Sequence, residues 1–201
     1  MMGKKNANWR SCPLTIIVME AGAWQFVIYA PPHEDKIVGM QKSELLRLAG
    51  SMEWSRERIL AMLEKVSDAD LDAPRGGSFG SLRATLAHLL GAEQVWGARL
   101  HGRARGMPQP DAYPTRAAAG AAWREATAVL LAYLEKLPEG EVTGEIQYAN
   151  LKGQMVASRI HEIFLQLFAH HAYHRGQIVY MLREMGHPVT GTDFMAYCRQ
   201  H

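Results

Sequence analysis

Cysteine is scarce: the 201 residues hold two, Cys12 and Cys198, near opposite ends and in no CxxC or zinc-finger spacing. That excludes a disulfide-framed secreted domain and a cysteine-built structural zinc site, and it fits a reducing, cytoplasmic setting. A dominant charge is also missing. Lys and Arg number 22 against 20 Asp and Glu, for a net +2, so no basic field directs the chain to nucleic acid. The one locally basic stretch, Arg99-Leu100-His101-Gly102-Arg103-Ala104-Arg105, reads as the solvated end of a helix running into a loop. No run approaches the roughly 20 apolar residues of a membrane span. No HExxH occurs, so a zinc-protease reading lacks its general base. Internal repeats and low-complexity tracts are absent as well.

Residues 1–39 differ from the rest. Lys4, Lys5 and Arg10 precede an apolar run from Pro13 to Ala30, with Ala21-Gly22-Ala23 shaped like a cleavage site. Its uninterrupted apolar core, Ile16 to Met19, is too short for a signal peptide, and Glu20 ends it. The expectation is a poorly ordered N-terminal extension or a misassigned start over 1–39, followed by one domain over 40–201.

From Met40 onward the apolar period is helical. Ser43 reads as the cap of a first helix carrying Leu45, Leu48, Met52, Ile59, Leu63 and Val66, and the Asp-, Gly- and Pro-rich stretch after it reads as turn. Ser81 caps a second helix that Gly102 stops, and a third starts near Thr115 and ends at Pro138. Between Glu145 and Val156 the period shortens toward two, with Asn150 to Gly153 as a turn, which predicts a small hairpin. Ser158 then reads as the cap of a fourth helix that stops at Gly186. The pattern predicts an all-α fold, an antiparallel four-helix bundle with a small β-hairpin before the last helix.

The candidate chemistry lies in that last helix, where His170, His171 and His174 fall within five positions. Residues four apart share a helix face, so His170 and His174 can aim nitrogens at one point, and His171 also shares a face with His174. A lone HxxxH is at least as often a pair of helix-face histidines bonded to water or carbonyls. His88, in the middle of the second helix among Ala84, Thr85, Gly91 and Ala92, supplies a third imidazole; the alternative is a buried histidine bonded to a neighbour. Three histidines from two helices would suit Zn²⁺, Ni²⁺ or a similar divalent ion and leave positions open for water or substrate.

These residues carry a resemblance. Gly80-Ser81-Leu82-Arg83, Leu86-Ala87-His88 with Glu93 and Trp96, and His170-xxx-His174-Arg175-Gly176-Gln177 followed by Gly186 resemble the DinB-like (damage-inducible, YfiT-type) family of metal-dependent helical bundles. The resemblance covers about residues 41–197. It implies an antiparallel four-helix bundle, one divalent metal on His88, His170 and His174, selection of His170 over His171, and homodimers. It also implies a small-molecule substrate and, in some relatives, a low-molecular-weight thiol cofactor. The leading function it suggests is a metal-dependent enzyme of the thiol S-transferase or hydrolase kind; the alternative is a non-catalytic, stress-responsive metal-binding bundle.

Glu93 could orient a ligand or substrate, against the simpler reading of a solvated helix-face carboxylate. Arg175 could clamp a substrate carboxylate or form an interhelical ion pair. Gly91 and Gly176 suggest close helix approach, and Trp96 and Tyr173 read as core aromatics.

Overall fold

The computed structural model describes residues 40–201 throughout and, of residues 1–39, only the strands β1 (Leu14–Glu20) and β2 (Ala23–Tyr29). These two pair antiparallel, from Leu14 opposite Tyr29 to Glu20 opposite Ala23. Both are rich in β-branched and aromatic residues, which suit a pleated ribbon. They are a hairpin additional to the one expected before the last helix. Apart from these strands, the expectations for residues 1–39 lie outside the described residues. Residues 1–39 and 40–201 form separate compact units.

In the second unit four long helices dominate: α1 (Lys42–Leu63), α3 (Leu82–Leu100), α4 (Arg116–Lys136) and α5 (Ile160–Glu184). Two caps fall where the sequence puts them. The Ala84 N–H donates to Ser81 Oγ at 3.1 Å and the Ala118 N–H to Thr115 Oγ1 at 3.1 Å, each satisfying a donor that a helix start leaves free.

Two other caps differ. Helix α1 begins after Gln41 rather than Ser43, and the Gln41 N–H donates to Glu44 Oε2 at 2.8 Å. Ser158 is a strand residue, not a cap: β3 (Glu145–Ala149) and β4 (Met155–Arg159) form the expected hairpin, and β4 runs straight into α5. The Ser158 hydroxyl instead pairs with the Tyr148 hydroxyl at 3.0 Å. Part of the stretch expected as turn is a short helix, α2 (Asp68–Asp72), because Ser67 accepts from the Asp70 N–H and acidic side chains occupy its first turn. A last short helix, α6 (Phe194–Cys198), is capped by Asp193.

Helices α1 and α3 each pack against both α4 and α5. The interior holds two apolar clusters. One contains Ile59, Leu63, Leu86, Leu90, Trp123 and Ile178, and the other Leu45, Met52, Leu130, Leu134, Phe164 and Leu167. Along every long helix, buried polar residues fall between the two sets: Ser55 and Arg56 on α1, Glu93 on α3, Thr127 on α4, His171 and Arg175 on α5. A polar layer thus crosses the core.

Candidate metal centre

His88 reaches the site from the second turn of α3, and His170 and His174 from the middle of α5, successive positions on one face. Their ligand nitrogens all lie within 4.8 Å of one another. His88 Nε2 and His170 Nε2 are 2.9 Å apart, and the His170 and His174 ring centroids 4.4 Å. At 2.9 Å one of the two neutral rings can donate its Nε2–H to the other, and with both protons on Nδ1 the same nitrogens instead turn their lone pairs toward a shared cation.

The protonation states suit a cation. Burial, reinforced by the neighbouring imidazoles, holds His88 below the usual histidine range and pushes His170 down to about 4, so both are neutral at physiological pH and offer a lone pair. His174 Nδ1 lies 2.8 Å from Gln177 Oε1. That oxygen can only accept, so Nδ1 carries the proton and Nε2 keeps the lone pair, the tautomer-fixing contact common behind metal-binding histidines. Gln177 is itself fixed, because its Nε2 donates to Ser78 Oγ at 3.0 Å. The cluster can hold a metal ion, and the donor set fits a divalent transition metal.

The loop before α3 closes one side. Gly77 (φ +102°) and Gly80 (φ +75°) adopt backbone conformations that favour glycine, and between them Phe79 stacks on the His88 ring, with centroids 4.1 Å apart and planes at 26°. Phe79 remains 37% exposed. Sequence reading missed Phe79, Ser78 and the role of Gln177. Only Gln177 left a signal, one turn after His174 on the same helix.

His171 faces away from the cluster, into the polar layer. Arg175 donates to His171 Nδ1 at 3.1 Å and to Ser55 Oγ at 2.7 Å, so the His171 proton sits on Nε2. Among the described residues that nitrogen has no hydrogen-bond partner, and Glu93 Oε1 lies 3.6 Å away. The contact is no ion pair, because burial and the Arg175 charge hold His171 well below the usual histidine range, and it is neutral. Glu93 is neither solvated nor directed at the histidine cluster. The Trp123 Nε1–H donates to its Oε1 at 2.8 Å and the Thr127 hydroxyl to its Oε2 at 2.6 Å, and burial raises its carboxyl to about 7. Among the described residues Arg175 likewise clamps no carboxylate.

Three further expectations change. Gly91 admits a loop rather than a helix, since an added Cβ would lie 2.6 Å from Pro108 Cδ, and a Cβ at Gly176 would meet nothing within 4 Å. Tyr173 is exposed, not core.

A model of the DinB family matches residues 40–201. The crystal structure of a DinB-like protein from Bacillus cereus superposes with a TM-score of 0.58 over 76% of this chain and 98% of that one, at 18% identity. A likeness at that identity speaks for the fold alone. Among curated proteins none matches. With four-fifths of the chain matched, the helical fold shared and the histidine pattern assembled in space, the chain belongs to the DinB family.

Proposed function

We propose that this is a metal-dependent enzyme of the thiol S-transferase or hydrolase kind, built on a four-helix bundle, with one divalent ion on His88, His170 and His174. The observation that carries the reading is the convergence of three imidazoles, one with its tautomer set by Gln177. Such an ion supplies Lewis acidity, lowering the pKa of a water or thiol brought to it. The chain's own residues do the rest. Three histidines leave coordination positions free, Gln177 and Ser78 hold the His174 ring in place, and Phe79 covers the His88 face and narrows the approach.

A homodimer is part of the proposal. Leu165, Tyr173 and Tyr180 stand exposed along one side of α5, an apolar stripe that a second copy would cover. The scarcity of cysteine supports a cytoplasmic site of action.

The test is cobalt substitution. Co²⁺-loaded protein should show a visible spectrum of low coordination number that shifts, with new sulfur-to-metal charge-transfer absorption, when 2-mercaptoethanol is added. A bound cobalt whose spectrum no thiol alters would remove the transferase half of the proposal, and a spectrum indifferent to pH as well would remove the hydrolase half.

A further inference from the structure

The basic stretch Arg99 to Arg105 is more than a solvated helix end. It forms one wall of a cavity of about 610 Å³ whose opposite wall is the β3–β4 hairpin, including Gln147, Tyr148 and Asn150. Arg99, Arg103 and Arg105 all line it, and among the described residues no Asp or Glu does. Among the described residues none of the three forms an ion pair. Arg105 donates to the neutral Gln94 Oε1 at 2.7 Å. Arg99 rests against two rings, its guanidinium carbon 4.8 Å from the centroid of Trp96 and 4.7 Å from that of Tyr148.

Two rings set against one side of a guanidinium, their centroids only 5.1 Å apart, restrain it and leave N–H donors free for an acceptor. The two rings meet edge to face, so helix and hairpin are locked together at this point and Arg99 is already ordered before any ligand arrives. Pre-ordering removes an entropy cost that a free surface arginine meets on binding. Planar forks with unpaired donors in a concave, carboxylate-free setting match the oxygens of phosphate or carboxylate.

We propose that this cavity is a second ligand site, for a small oxyanion, with Arg99 as its ordered anchor and Arg103 and Arg105 as loop-borne partners. It is separate from the histidine cluster: Arg99 follows His88 by eleven residues on one helix, which is about 16 Å along the axis. The site does not depend on the metal reading.

The test is a ¹H–¹⁵N NMR titration of the full chain with inorganic phosphate at low ionic strength, repeated with succinate to separate phosphate from carboxylate recognition. Saturable shifts confined to residues around 99–106 and 147–151 are expected, in His170→Ala as in the wild type. The Arg103→Ala/Arg105→Ala double variant alters only exposed loop residues and should weaken binding about tenfold or more, the scale of a lost charge-assisted bond. Arg99→Met should weaken it further. A cosedimentation arm with phosphatidylglycerol vesicles separates a lipid headgroup from a free anion. Absence of saturable shifts with both anions, binding to vesicles only, or affinities unchanged in the double variant would overturn the proposal.

Discussion

Glu93 shows how far a residue's type is from its state. By sequence it is a carboxylate on a helix, and in the fold it is 1% exposed, bonded to Trp123 and Thr127, with a neutral His171 beyond. Its folded pKa of about 7 lies above the ordinary value of 4.5. The folded state therefore holds the proton more tightly than the unfolded chain, and the stability this group lends is complete below about pH 4.5 and is lost as pH rises through 7. His171 works in the other direction, since a histidine held neutral by burial costs stability as pH falls below its unfolded value. Comparing Glu93→Gln with the wild type isolates the carboxyl. The stability difference should move in favour of the variant by on the order of 3 kcal/mol between pH 4.5 and 7.5. Glutamine keeps both bonds available, because the Thr127 hydroxyl can turn to the Trp123 carbonyl, 3.1 Å away. Urea melts at several pH values measure this, and a difference that stays flat would show that the buried carboxyl does not titrate as described.

At the scale of elements, what was legible followed from local chemistry. Ser81 and Thr115 are short acceptors before apolar periodicity, and Gly102 and Gly186 supply the positive φ at which helices end. The hairpin was legible because Ile146 and Tyr148 alternate with polar residues before a turn. The start of α5 was not, because a strand passing directly into a helix gives Ser158 a cross-strand role and needs no cap. The choice between His170 and His171 was also beyond spacing: the two differ by 100° on the helix, and only packing against α3 decides which meets His88 and which enters the polar layer. Glycine roles were legible in kind but not in partner. Gly97, which the sequence did not single out, is the one that lets α3 approach α4, with an added Cβ 3.2 Å from Val129. Gly91 instead seats Pro108. Gly91→Ala should therefore displace the loop after α3 and destabilise the fold by about 1–3 kcal/mol, the usual cost of overpacking. Metal content is read alongside, because Gly91 follows His88 by three residues and lies one turn away on the same side of α3. Thermal melting with elemental analysis measures both, and a variant as stable as the wild type would contradict the tight loop seat.

At the scale of the whole molecule, two apolar clusters flank the polar layer and neither includes the metal ligands. The proposed ion joins only α3 and α5, which already pack against each other, α3 also against α4 and α5 also against α1. The stripped protein should thus keep a cooperative melting transition, with metal adding about 3 to 4 kcal/mol at 100 to 1,000 times its dissociation constant. Loss of the transition on stripping would favour the reading in which the ion is structural and the bundle non-catalytic. Light scattering on the same samples should give twice the 22.4 kDa chain mass if a second copy covers the stripe on α5.

Elemental analysis of protein purified without a tag reaches the three-histidine centre most directly. One divalent transition-metal ion per chain is expected, lost in His88→Ala, His170→Ala and His174→Ala alike. In His171→Ala it should be retained, although that variant leaves Arg175 short of a buried acceptor and melts earlier. Wild-type protein without stoichiometric metal, or equal metal loss in His171→Ala and His170→Ala, would contradict the assignment.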